Sequence, residues 1–456
     1  MRYPDWLAYA TAVIEEAGYN VKLVDGAAEG STHLDMHNLA ASLNPDVTIL
    51  DVTTPSFYND VRVAKIFKEN GSLVVAVGPH VSALPEESLK ESNGAFDVIA
   101  RREYDYTVLD IIQHFEDGKG FEGVNGVTYM EGNKIKSTPD RPFIENLDAL
   151  PFPAWHHLNF KNYYNAGYLN PYLDIIGGRG CPFKCTFCLW PQVMHGRKYR
   201  FRSPQNIVDE MEYDITTWPK TRELFFEDDT FTVNHKRAYQ ICKEIISRKI
   251  DVVWSCNSRC DVLDLKLLKY MKRAGCRMLL VGPESGSQRV LNNVKKGITL
   301  DEIRKFAELA KMAGLELHTC WVIGLPGETR HTIELTIRFS KELDTEQLQV
   351  SGAVPFPGTE FYEWAKKNGY LKAKKWSDWL DPYGEQTPVI EYPWLSAREI
   401  REACDRLLRE YYFRPKQIIK LVLKTRDLAD LGRKVNGVLK LIDYFVKKSV
   451  RSGLRG

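Results

Sequence analysis

The sequence predicts an α/β protein in three parts: an N-terminal doubly wound, Rossmann-like domain, a partial (β/α)6 barrel, and a mainly helical C-terminal region. Three observations predict it. Short apolar runs alternate with amphipathic stretches along most of the chain, the pattern of parallel strands joined by crossover helices. The repeating unit lengthens after about residue 171, and six such units point to a barrel rather than a second small sheet. After residue 361 the strand-like runs give way to helical spacing. The expected divisions are 1–117, a linker over 118–170, the barrel over 171–360, and 361–456.

In the first part, an amphipathic stretch over 6–18 leads to an apolar strand at 20–25. A helix over 34–43 then leads to a strand at 46–51, a helix over 61–70 to a strand at 72–77, and a last strand at 97–100 to a helix over 106–115. A doubly wound domain normally opens with a strand, and none precedes the first helix here. The first strand is therefore expected to be absent, or the start to lie upstream of the sequence given. The linker carries an antiparallel element over 126–137 and the proline-bearing Leu150-Pro151-Phe152-Pro153. Barrel strands are expected at 173–176, 223–226, 252–255, 277–281, 317–323 and 345–350. Helices are expected over 206–217, 235–248, 264–274, 300–313 and 330–343.

Composition narrows the function classes. The 456 residues carry 62 basic and 60 acidic side chains, a net charge of +2, with 44% hydrophobic and 27% charged residues. This is ordinary for a folded soluble protein. No run approaches the roughly 18 apolar residues of a spanning helix, and no signal peptide opens the chain, so a cytoplasmic protein is expected. Charge is uneven: residues 411–456 hold twelve Lys/Arg and three Asp. There, Ile418, Ile419, Val422, Leu428, Leu431, Val435 and Leu439 recur at helical spacing among the cations. One reading is a basic amphipathic surface making peripheral contact with the inner face of the membrane. The other is a helical cap with solvent-facing lysines. Nucleic acid is not expected as a partner, since no binding module accompanies the charge.

Nine cysteines are too few for a disulfide scaffold. Three of them, Cys181, Cys185 and Cys188, stand in one C-x3-C-x2-C frame, an arrangement expected by chance on the order of 0.004 times per chain. They follow the first barrel strand directly, at its C-terminal mouth. Three thiolates in so short a span suit an iron–sulfur cluster with one iron left open. Zinc with His195 as fourth ligand, or buried structural thiols, are the bland alternatives. The other cysteines are isolated and read as small hydrophobes.

The frame, with an aromatic before its last cysteine, resembles the radical S-adenosylmethionine (SAM) enzymes. The resemblance implies a [4Fe–4S] cluster on Cys181, Cys185 and Cys188, with SAM chelated at the open iron and cleaved to a 5′-deoxyadenosyl radical. It places Phe187 beside the cluster and nucleotide, and implies an electron donor such as ferredoxin or flavodoxin. Further strand ends fit the same pattern. Glu227, Asp228 and Asp229 follow the second strand as candidate catalytic groups, against the plainer reading of a solvated turn or helix cap. Asn257, ending the third strand, is a candidate pocket residue. Glu284 and Ser285, after the fourth, resemble the SAM-contacting segment. Gly324 and Pro326, after the fifth, resemble the turn flanking adenine, where glycine lets backbone approach the base.

A doubly wound domain ahead of such a barrel resembles the cobalamin-binding class of these enzymes. The resemblance makes Thr53, Thr54, Ser56, Gly78 and His80 candidate corrinoid contacts. Asp35-Met36-His37 mimics the start of a cobalt-ligand motif but lies inside a helical pattern and reads as amphipathic helix, so no histidine ligand is expected from it. The segments 185–192, 225–231, 254–257 and 355–358 look like the hopanoid-biosynthesis-associated radical SAM proteins and archaeal calditol synthase. That likeness implies ring contraction of a lipid-linked sugar to a cyclopentane cyclitol. The alternatives are cobalamin-dependent methylation of an unactivated carbon and, more remotely, a non-catalytic iron–sulfur electron-transfer protein.

Overall fold

The computed structural model describes residues 2–381 and 384–453, the side chains of 448–453 excepted. Strands β1 (Val47–Asp51), β2 (Leu73–Val77) and β3 (Val98–Ala100) run parallel in that order. Their apolar runs suit burial under helices on both faces; β3 and all of β2 after Leu73 are buried. Strands β4 (Val127–Glu131) and β5 (Lys134–Ser137) extend the same sheet antiparallel beyond β3. The element read as part of a linker is thus an edge of the first sheet.

The segment 20–25 is not a strand. A ladder needs a neighbouring backbone. The far edge of β1 does not supply it: a trough of about 1580 Å³ separates the two and is lined by both. The helix Asp5–Glu16 packs its Ala8, Ala10, Val13 and Ile14 inward. Asp35 sits in the first turn of helix His33–Leu43, where its carboxylate accepts from the Thr32 amide at 2.7 Å, and His37 is exposed. The Asp-x-His stretch is therefore helix, as its pattern suggested.

The second sheet begins with β6 (Tyr172–Ile175). A short pair, β7 (Gly178–Arg179) and β8 (Arg200–Phe201), closes the loop that follows. Then β9 (Glu223–Phe226), β10 (Val253–Ser258), β11 (Cys276–Glu284), β12 (Glu316–Ile323) and β13 (Gln347–Gly352) complete six parallel strands in the order 6-9-10-11-12-13. No hydrogen bonds join β13 back to β6, so the barrel is open on one side. Alternation along β12 separates two faces. Leu317, Thr319, Trp321 and Ile323 are buried under helices, while His318, Cys320 and Val322 are partly accessible on the inner wall.

The barrel helices start where the chain supplies caps. Leu300–Ala313, for example, opens on a reciprocal Thr299–Glu302 box and ends at Gly314, with φ 75°. Helix Ala397–Tyr412 lies along β13, with the Tyr412 hydroxyl donating to the Leu348 carbonyl at 2.7 Å. Helices Pro415–Leu423 and Leu428–Gly453 cover the open side, where Lys440 lies 4.6 Å from the Tyr164 ring centre. Much of the basic charge of this tail is tied to the protein's own carboxylates: Lys416 and Lys420 to Asp344, Lys424 to Glu346, and Arg433 and Lys434 to Asp430. Leu423 and Leu428 are instead 78% and 86% exposed. Among the described residues no helix is long and apolar enough to cross a membrane.

Candidate active site

The three cysteines lie on the loop enclosed by β7 and β8. Gly180 opens it at φ 87°, and a Cβ there would stand 2.3 Å from the Lys198 carbonyl, so both conformation and space require glycine. The Gly180 amide donates to Asp229 Oδ2 at 2.9 Å. On the far side, Gln192 sits in the helical turn Trp190–Met194. Its side-chain amide donates to the carbonyls of Cys188 (2.7 Å), Thr186 (3.1 Å) and Cys185 (3.4 Å). One side chain thus gathers the backbone between the second and third cysteines.

All three cysteines are free thiols. Burial pushes Cys181 up to about 11 and also raises Cys188, and charge on Cys185 raises both. Cys185 is buried, and Cys181 and Cys188 are partly exposed beside it in the chain. A metal centre, which binds thiolates and displaces their protons, relieves that cost. Arg259 lies 3.5 Å from the Phe183 ring centre on the same loop, and its guanidinium donates to the Lys296 carbonyl. These residues fit a cluster with cationic support. His195 is turned away toward Asp229 (Nδ1–Oδ2 3.3 Å) and stacks on Trp190.

The acidic triad after β9 divides its roles. Asp228 is fully buried; it accepts from the Gly177 amide (2.6 Å) and the Tyr199 hydroxyl (3.1 Å), and burial raises its pKa. Asp229 holds the cluster loop, and Glu227 pairs with Arg2 at the barrel mouth. Asn257 donates to the Asp228 carbonyl at 3.1 Å. Two of the four candidate catalytic groups, Asp228 and Asp229, are thus engaged in shaping the mouth.

Glu284 has φ 66°, strained for a non-glycine, at an irregularity in the β11–β12 register. Its carboxylate pairs with buried Lys296 at 2.7 Å. Ser285 is enclosed, 3.2 Å from the Thr336 hydroxyl. Gly324 has φ 97°, but Ile400 of the C-terminal helix fills the space its Cβ would take, at 2.8 Å. Phe187 and Pro326 are partly buried in their loops.

In the N-terminal domain the candidate contacts separate into two sets. Thr54 and His80 bond to each other (3.1 Å) and are buried; the His80 ring packs between Phe57 and Trp376, each 4.7 Å away, and burial lowers its pKa to about 4. The missing Cβ of Gly78 makes room for the Asp51 carboxylate rather than for a ligand. Thr53 and Ser56, whose hydroxyls meet at 2.7 Å, line the trough. So does Asp51, whose Oδ1 is buried without a hydrogen bond among the described residues and whose pKa burial raises to about 7. A trough larger than the usual 300–1,000 Å³ site, bearing hydroxyls and an unsatisfied carboxyl, fits a large polar ligand.

Sequence reasoning missed the clamp between the two domains. Arg179, two residues before Cys181, makes a bidentate pair with Asp105 at the start of helix Asp105–Glu116 (2.7 and 2.9 Å), both buried. Arg200 likewise reaches Glu103 (2.8 Å). Gln192 and Lys296 were missed too. Only Arg179 and Gln192, lying within the cysteine segment, gave any local signal.

Residues 175–340 match the family described as the radical SAM superfamily, and residues 3–111 match the B12 binding domain. The chain is 32% identical over 445 residues to "Uncharacterized methyltransferase PH0819" of Pyrococcus horikoshii, covering 96% of this chain and 94% of that protein. It is 29% identical to an anaerobic magnesium-protoporphyrin IX monomethyl ester cyclase of Rubrivivax gelatinosus, over 90% of this chain and 73% of that one. Among solved structures it resembles the radical SAM methyltransferase TsrM of Kitasatospora setae. There the TM-score is 0.70 at 16% identity, covering 90% of this chain and 86% of that one, which is a likeness of fold.

These findings overturn the expected ring contraction: a relative that covers 96% of this chain is named a methyltransferase, and the hopanoid and calditol grouping gains no support. The short segments behind that expectation lie around the shared cofactor machinery, which does not distinguish one radical reaction from another. The two family matches give the chain a [4Fe–4S] cluster, SAM and cobalamin as cofactors, and radical SAM chemistry requires an electron donor. The chain belongs to the radical SAM superfamily, in the group that carries a B12 binding domain ahead of the radical SAM domain.

Proposed function

We propose that this chain is a cobalamin-dependent radical SAM methyltransferase acting on an unactivated carbon. The observation that carries this is the Arg179–Asp105 clamp, which fixes the start of the cluster loop to the B12 binding domain. Methyl transfer needs both cofactors to address one acceptor, and a buried bidentate pair holds their two domains in one orientation. The relative named a methyltransferase over 96% of the chain supports the same reading. When bound, the cluster with SAM supplies a hydrogen-abstracting radical, and cobalamin supplies a transferable methyl group.

In this reading Cys181, Cys185 and Cys188 hold the cluster, Gln192 and Asp229 set their loop, and the Glu284–Lys296 pair borders SAM together with Phe187 and Pro326. Thr53, Ser56 and Asp51 face cobalamin from the trough. Glu227 and Asn257 stand at the barrel mouth.

The test is product analysis of the anaerobically reconstituted, reduced enzyme with cobalamin and a cell extract as acceptor source. The expected products are S-adenosylhomocysteine together with 5′-deoxyadenosine, both lost in Cys185→Ala. Formation of 5′-deoxyadenosine without cobalamin-dependent S-adenosylhomocysteine contradicts methyl transfer.

A further inference from the structure

Four partly accessible residues form a continuous row across the inner wall: Asn257, Leu280, His318 and Gln347, paired in register over β10 to β13. Above His318 on the same face of β12 come Cys320 and Val322, leading to the mouth at Gly324. None of these side chains carries a charge. Burial, reinforced by nearby Arg277, lowers His318 to about 4, and burial pushes Cys320 up to about 12, so the imidazole and the thiol are both neutral.

At the lower end of this wall a cavity of about 380 Å³ lies between the open side of the barrel and the C-terminal helices. Its apolar lining comes from Leu169, Leu348, Leu408, Leu421, Val438 and Leu441. The charged groups around it are already matched. Arg277 pairs with Glu223 and Glu316, Arg426 also reaches Glu316, and Lys424 holds Glu346. Lys420 holds Asp344, while Arg433 and Lys434 share Asp430. Both ring nitrogens of His318, which lines the cavity, are out of solvent and make no hydrogen bond among the described residues. A buried polar pair of that kind costs free energy unless something bonds to it.

We infer that this cavity binds an uncharged and largely apolar molecule whose one polar group bonds to His318. An ionic ligand would have to displace existing ion pairs or lie unpaired against leucines, whereas a neutral one satisfies the imidazole and buries apolar surface. The volume falls within the 300–1,000 Å³ range of small-molecule sites. The ligand's chemical class rests on the cavity alone and not on the methyl-transfer reading.

The test uses Nile red as a neutral apolar probe of the full chain, with 1-octanol and octanoate as competitors. Saturable one-to-one binding is expected, displaced by octanol and at least tenfold less effectively by octanoate. Val438→Trp, which fills the cavity from the tail helix, is expected to weaken Nile red about tenfold or more while leaving the far-ultraviolet dichroism and the cluster's visible absorption unchanged. His318→Leu is expected to weaken octanol several-fold, and His318→Gln to restore part of that loss. Octanoate competing as well as octanol overturns the class; non-saturable Nile red binding, or binding indifferent to Val438→Trp, overturns the site. S-adenosylhomocysteine formed by an enzyme that fails these assays would leave methyl transfer standing, and the converse result would leave the cavity standing without it.

Discussion

Arg179 and Asp105 form a bidentate ion pair, 2.7 and 2.9 Å, with both side chains almost wholly buried between the N-terminal domain and the first residues of the cluster loop. The Arg179 guanidinium also lies 4.8 Å from the Trp6 ring centre and 5.6 Å from that of Tyr9. One residue therefore touches the helix Asp5–Glu16, the helix Asp105–Glu116 and the loop that carries Cys181.

Breaking this pair on one side strands a buried charge, which costs about 3–5 kcal/mol. Arg179→Met is expected to lower the thermal midpoint clearly. Replacing both partners, Arg179→Met with Asp105→Leu, is expected to recover much of the loss. Differential scanning fluorimetry of the two single variants and the double variant measures it; additive losses would show that the pair is not coupled.

Gln192 donates to three carbonyls of the cysteine loop. Gln192→Leu leaves those acceptors without their donor, a loss of about 1–3 kcal/mol in loop order. The variant is expected to load iron but to cleave SAM about tenfold or more slowly, and to lose its visible absorption faster in air. Iron content and a single-turnover 5′-deoxyadenosine assay check this.

Gly180 cannot be replaced without moving the loop, since φ is 87° and a Cβ would overlap the Lys198 carbonyl. Gly180→Ala is expected to destabilise by more than 1 kcal/mol and to reduce cluster loading. Equilibrium denaturation and iron analysis measure the two effects.

Asp51 gives a pH signature. Burial raises its pKa from 3.8 to about 7, so between those values the folded chain holds a proton that the unfolded chain has released. The Asp51 contribution to stability is therefore present below about pH 4, falls as pH rises toward 7, and levels off above. Asp51→Asn removes that dependence and is expected to be more stable than the parent at pH 8, with the difference shrinking toward pH 4. Denaturant midpoints of the cobalamin-free protein at the two pH values check it.

Much of the fold was legible because its signals are local. The apolar runs of β2, β9 and β12 read as buried strands whatever they pair with, and the cysteine frame needs only spacing. What failed was non-local. Residues 20–25 have strand composition, yet a strand exists only where another backbone lies beside it. The hairpin of β4 and β5 gave no hint that β4 would pair with β3. Lys296, Arg259 and Asp105 sit far in sequence from the cysteines they support, and no spacing rule connects them. The roles within Glu227, Asp228 and Asp229 were also hidden, because alternate acids of one turn point to different partners. The reaction itself was the least legible feature, since ring contraction and methyl transfer share the same cluster and nucleotide.

Tracing the methyl group in living cells tests methyl transfer most directly. Cells producing the protein, and cells producing Cys188→Ala, are fed methionine carrying a CD3 group, and their extracts are compared by mass spectrometry. A compound that gains an intact CD3 only in the first culture is the predicted result. Extracts that differ by no CD3-bearing compound, from cells whose enzyme still yields 5′-deoxyadenosine, would contradict it.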